Sequence, residues 1–128
     1  MNWNRHTLTG GVFLGLLLFF LFIFAPKALS HSFPDHSEPR VGWEVKNSPP
    51  EVRIWFDVSI EPLFSTIEVF DSNHKKVDKG DSHTDPNNPL LLIVSIPPLS
   101  QGKYEVHWSV ISIDTHHTEG TFKFSIGA

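Results

Sequence analysis

Cysteine is absent from all 128 residues, and the one methionine is Met1. Neither a disulfide nor a thiolate metal site is therefore available, and soft sulfur ligands are missing beyond the first residue. Basic residues are scarce after the N-terminus. Two of the ten Lys and Arg and none of the fourteen Asp and Glu fall in residues 1–30. Residues 31–128 thus carry eight basic against fourteen acidic groups, a net −6 with histidine neutral. That balance argues against nucleic acid or anionic lipid as a partner and suits surroundings that present cations. Amphipathic helical periodicity is also lacking after residue 30.

One long apolar run is present, and it lies at the start. Arg5 and His6 sit in a short polar stretch without acidic residues, followed by an apolar run from Val12 to Ala25 broken only by Gly15. Pro26 and Lys27 end the run, and Ala28-Leu29-Ser30 supplies small residues at the two positions a signal peptidase reads. The run is shorter than the roughly 20 apolar residues of a spanning helix. Residues 1–30 therefore read as a cleaved signal peptide and 31–128 as one exported domain, periplasmic or extracellular. An uncleaved signal would instead anchor the domain to the membrane.

The exported part is patterned for strands throughout. Val52, Ile54, Phe56 and Val58 alternate with Arg53, Trp55 and Asp57, the period-two pattern of a half-buried strand. Thr66 to Phe70 forms a short β-prone run closed by the turn sequence Asp71-Ser72-Asn73, and Leu90 to Ile96 is almost continuously apolar. Tyr104, Val106, Trp108 and Val110 alternate with polar residues, as do Phe122, Phe124 and Ile126. Lys75 to Pro89 reads as a long surface loop, and Trp43, Trp55 and Trp108 as core aromatics. About seven short strands in one small domain predict an all-β, Greek-key sandwich of two sheets.

The chemistry concentrates at two places far apart in the chain. Cleavage after Ser30 makes His31 the first residue, so its α-amine and imidazole together form a chelate. Ser112-Ile113-Asp114-Thr115-His116-His117 offers further ligands. In an extended strand Asp114 and His116 project to one side while His117 points away. A D-x-H triplet alone is weak evidence, since surface strands often contain one by chance. Joined to His31, it completes a set of three nitrogens and one oxygen, which favours Cu(II) among the divalent first-row ions.

His31-Ser32-Phe33 with Ser37, Pro39 and Gly42 resembles the start of CopC-type copper-binding proteins. Gly102-Lys103-Tyr104-Glu105-Val106-His107-Trp108 is similar to their G-x-Y-x-V-x-W strand. Ser112-Ile113-Asp114-Thr115-His116, followed by Gly120-Thr121-Phe122-Lys123-Phe124, is similar to their S-x-D-x-H…G…F-x-F ending. The resemblance implies an immunoglobulin-like sandwich that binds one Cu(II) per monomer through His31, Asp114 and His116. It further implies a role in copper homeostasis, resistance or import, and an integral membrane importer of CopD type as a partner. The methionine-rich loop with which some members hold Cu(I) has no counterpart here, and His117 stands where the family often has proline.

His107 is expected on an exposed sheet face, His74 and His83 in loops, and His36 near the N-terminus without an assigned role. Two other classes of function compete with a copper-binding protein that sequesters or delivers its ion. Copper polysaccharide monooxygenases also use an N-terminal histidine, but a coordinating Asp114 would fill an in-plane position that oxygen chemistry needs. The other is a secreted immunoglobulin-like module without metal.

Overall fold

The computed structural model describes residues 32–127. Residues 1–30, expected to be a signal peptide, and His31 lie outside the described residues. Eight strands follow in order: β1 (Pro34–Glu38), β2 (Glu44–Val45), β3 (Glu51–Phe56), β4 (Thr66–Asp71), β5 (His83–Asp85), β6 (Asn88–Ser95), β7 (Gly102–Ile111) and β8 (His117–Ile126). A short 3-10 turn, Pro62–Phe64, joins β3 to β4. The strands form two four-stranded sheets, ordered β1-β3-β6-β5 and β2-β8-β7-β4. Every pairing is antiparallel except β2 with β8. The chain crosses between sheets repeatedly, giving the all-β sandwich of two sheets that the alternating pattern predicts and the immunoglobulin-like form that the resemblance implies.

Alternation decides which side chains meet between the sheets. Val52, Ile54 and Phe56 on β3 face Val106, Trp108 and Val110 on β7 and Phe122, Phe124 and Ile126 on β8, all in one buried cluster. Burying each such side chain contributes about 1.5–3 kcal/mol, enough together to hold a cysteine-free domain. Leu92 and Val94 of β6 belong to the same cluster, and Leu91 and Ile93 on the opposite face are also buried. That explains the unbroken apolar run there. Trp108 packs edge-on against Phe56 and lies across Gly120, its partner on β8. A Cβ at Gly120 would come within 2.5 Å of the Trp108 ring.

Two expectations are corrected. Only Trp108 among the three tryptophans belongs to the core. Trp55 lies between buried Ile54 and Phe56, so alternation turns it outward, where it stacks under His36 at 4.3 Å. Trp43 is 54% exposed, with the Arg40 guanidinium 4.7 Å above its ring.

The Lys75–Pro89 segment is not a plain loop, for it contains β5 and the first residues of β6. Side-chain oxygens pin the rest to neighbouring strands. Asp78 Oδ2 accepts from the Val69 N–H at 2.8 Å, Ser82 Oγ from Ile67 at 3.0 Å, and Asp81 Oδ1 from Ser95 at 2.8 Å. Short polar side chains commonly bond backbone in this way, which gives a hydrophilic segment fixed structure without an apolar face.

Candidate metal centre

Asp114 and His116 occupy the turn joining β7 to β8, beyond the paired residues Ile111 and His117. They are therefore brought together by turn geometry, not by the strand alternation that the sequence suggests. Ser112 organises the turn. Its N–H donates to the His116 carbonyl at 2.9 Å, and the Thr115 N–H donates back to the Ser112 carbonyl at 2.8 Å. The Ser112 hydroxyl lies 3.2 Å from both the His116 N–H and the His116 carbonyl, and donates to Asp114 Oδ1. Ser112 is fully buried, so its end of each contact is shielded from water.

Thr115 adopts φ = 73°, a left-handed conformation that a β-branched residue rarely takes. This reverses the chain between Asp114 and His116. The turn is held from outside as well. Ile113 N–H donates to the Ser59 carbonyl at 3.1 Å, and Glu61 N–H to the Ile111 carbonyl at 2.7 Å.

The result is a close oxygen–nitrogen pair, with Asp114 Oδ1 3.2 Å from His116 Nδ1. The two side chains are 42% and 31% exposed respectively, with His116 Nδ1 itself turned to the buried side of its ring. Adjacent ligands at metal bonds of about 2.0–2.2 Å stand roughly 3 Å apart, so the pair matches two neighbouring positions around one ion. The Ser112 hydroxyl, more than His116, holds the Asp114 carboxyl below the usual range, against a smaller opposing effect of desolvation. Asp114 is thus a carboxylate across neutral and mildly acidic pH, the form a metal requires.

Among the described residues no group of three or more His, Asp or Glu side chains could hold a metal ion. Asp114 and His116 are two candidate ligands, and His31 lies outside the described residues. Its chain neighbour, however, is anchored here. The Thr118 hydroxyl donates to the carbonyl of the fully buried Ser32 at 2.6 Å, across 86 residues of sequence. Phe33 is fixed on its other side, its N–H donating to Asp57 Oδ1 at 2.8 Å and its carbonyl accepting from the Asp57 N–H at 3.0 Å.

His117 lies within 2.8 Å of the Ser109 hydroxyl and 3.9 Å of Glu119, on the outer face of its sheet. His107, His36 and His83 are engaged elsewhere. His107 Nε2 meets Glu105 Oε1 at 2.6 Å on the outer face of β7, and His36 Nδ1 meets Asp35 at 2.8 Å. His83 lies on β5 rather than in a loop. Ser112 and Thr118 have no role in the reading of the sequence. The S-x-D-x-H spacing contains the serine, but strand alternation gives it nothing to do. Thr118 offers no signal at all, because its partner is 86 residues away.

Residues 35–127 match the CopC domain family. The chain is 32% identical over 114 residues to the copper transport protein CutJ of Bacillus subtilis, covering 88% of this chain but 21% of that one. The chain therefore spans about a fifth of that relative's length. It is 25% identical over 132 residues to copper resistance protein C of Escherichia coli, covering 96% of each. Among solved structures, the CopC of Methylosinus trichosporium OB3b superposes with a TM-score of 0.72 at 33% identity, covering 76% of this chain and 94% of that one. With the sandwich, the turn and the family match in agreement, the chain belongs to the CopC family.

Proposed function

We propose that this is an exported Cu(II)-binding protein that sequesters or delivers copper and does not catalyse a reaction. One ion per monomer is held by the α-amine and imidazole of His31, by Asp114 and by His116. The observation that carries the reading is the turn at residues 112–116. It presents a carboxylate and an imidazole 3.2 Å apart, on a strand whose Thr118 fastens the chain next to His31. The names of the relatives CutJ and copper resistance protein C support copper as the ion.

Ligand chemistry points to the oxidised ion. Amine, imidazole and carboxylate are borderline-to-hard donors, and no cysteine or internal methionine offers a soft alternative for Cu(I). Asp114 in the coordination plane favours holding the ion over activating oxygen there. A membrane importer of CopD type is the proposed recipient or companion. Folding does not depend on the ion, because the apolar cluster between the sheets is complete without it. Copper should raise the melting temperature by selective binding to the native state.

The test is an intact mass of the exported protein with and without Cu(II), followed by titration at neutral and mildly acidic pH. The expected mass begins at His31 and shifts by one copper. Affinity should fall as the solution is acidified, since the α-amine (about 7.7–8.0) and imidazole (about 6.5) must lose protons to bind. A protein that retains residues 1–30, or an affinity indifferent to pH, would contradict the chelate.

A further inference from the structure

We propose that Thr118 is a positioning residue for the N-terminal chelate: its hydroxyl, by clamping the Ser32 carbonyl to β8, fixes where His31 meets Asp114 and His116. The inference rests on the copper reading above and adds a residue to it.

An N-terminal ligand is the hardest kind to place. Chain termini are poorly ordered unless something ties them down, and a loose ligand loses its freedom at the moment of binding. Here the chain is tied immediately after the proposed ligand. Ser32 is fully buried, and its carbonyl accepts from Thr118 Oγ1 at 2.6 Å. Phe33 is bonded twice to Asp57, just past the end of β3. The Ser32-Phe33 peptide is thus fastened to one sheet through Thr118 and to the other through Asp57. A single peptide unit, about 3.8 Å between Cα atoms, separates Ser32 from His31.

Thr118 is suited to this by its register. It is the second residue of β8, paired with Val110, and stands two positions beyond His116. The turn that carries Asp114 and His116 and the clamp that carries the chain start are therefore parts of one hairpin. Holding both on a rigid element shifts the ordering of the ligands from the binding step to the folding step. No side chain other than that of Thr118 is bonded to the Ser32 carbonyl among the described residues.

The variants Thr118→Val and Thr118→Ser separate a positioning role from a packing role. Valine keeps the shape and loses the hydroxyl, whereas serine keeps the hydroxyl and loses a methyl. Cu(II) is titrated against a competing chelator into the exported wild type, both variants and His116→Ala, and the EPR spectrum is recorded at saturation. Thr118→Val should weaken binding by about 10-fold or more, within the range of supporting-residue effects at metal sites, and alter the spectrum. Thr118→Ser should restore both to near wild type. Without copper, hydrogen exchange at the Phe33 amide should quicken in the valine variant and recover in the serine variant.

Wild-type affinity and spectrum in Thr118→Val, with binding lost in His116→Ala, would overturn the clamp and leave the copper reading standing. Equal loss in the valine and serine variants would also overturn it, since packing alone would then be at work. A wild type that binds no Cu(II) would overturn the copper reading and with it the clamp's role.

Discussion

One hairpin carries two acid–histidine pairs of identical spacing, and they behave differently. Glu105 and His107 lie on β7, two residues apart on the outer face of an extended strand, with Glu105 Oε1 2.6 Å from His107 Nε2. Asp114 and His116 lie in the turn that follows, 3.2 Å apart. The strand pair is surrounded by its own partners: Lys123 reaches Glu105 at 3.8 Å, and the Phe70 ring lies 4.8 Å from His107. The turn pair has a buried serine beneath it and the start of the described chain fastened two residues beyond it. Spacing in the sequence therefore does not make a site. What sets the turn pair apart is the convergence of backbone from distant parts of the chain beside it.

The sharpest way to break this comparison is to remove each histidine in turn. His116→Ala should weaken Cu(II) binding by more than about 100-fold, beyond what loss of a merely supporting residue costs. His107→Ala should leave it within about twofold, as should His117→Ala, all read by competition titration. A large loss from His107→Ala or His117→Ala would put the ion on the strand face. Next in size is Ser112→Ala, which removes the hydroxyl that anchors both Asp114 and the His116 backbone. A drop of about 10–100-fold is expected, with the Asp114 pKa rising towards the usual value by NMR titration while Glu105 stays where it is.

The strand half of the hairpin should fail through packing instead. Gly120→Ala drives a methyl group into the buried Trp108 ring and should cost about 1–3 kcal/mol in denaturant unfolding. The fraction that remains folded should bind Cu(II) normally.

The smallest effect is acid sensitivity of the metal-free fold. Glu105 is held below its usual range chiefly by the His107 hydrogen bond, Asp114 by the Ser112 hydroxyl, and Asp81 by Ser95. All three are carboxylates with depressed values in the folded state. Their stabilisation is present above the unfolded carboxylate range near pH 4 and is lost as pH falls through the lower folded values. Melting temperature without copper should therefore be flat above about pH 5 and decline gradually below pH 4. In Glu105→Gln that decline should be shallower, with no change in copper binding.

The two halves of the hairpin also differ in how far the sequence reveals them. Tyr104 to Val110 and Phe122 to Ile126 announce their strands because alternate burial leaves a period-two pattern in the chain itself. Trp55 shows the same rule where attention to residue type misleads: its register between Ile54 and Phe56 turns it outward despite its size. The Asp114–His116 proximity is legible as a motif but for the wrong geometric reason. It depends on the left-handed Thr115 and the buried Ser112, and neither leaves a periodic trace. The Asp78, Asp81 and Ser82 bonds that order the polar segment before β6 are similarly local choices of partner across space. Long-range polar contacts, such as Thr118 with Ser32, are invisible until the fold brings them together.

The central claim is that the chain start and the hairpin turn share one Cu(II) ion. It is tested most directly by comparing Cu(II) affinity of protein that begins at His31 with the same protein carrying Ser30 as one extra N-terminal residue. The extension converts the His31 amine into an amide and leaves Asp114, His116 and every described contact untouched. A loss of more than about 100-fold is predicted, since a direct ligand is removed. Equal affinity in the two proteins would contradict the account, leaving the His31 α-amine outside the site.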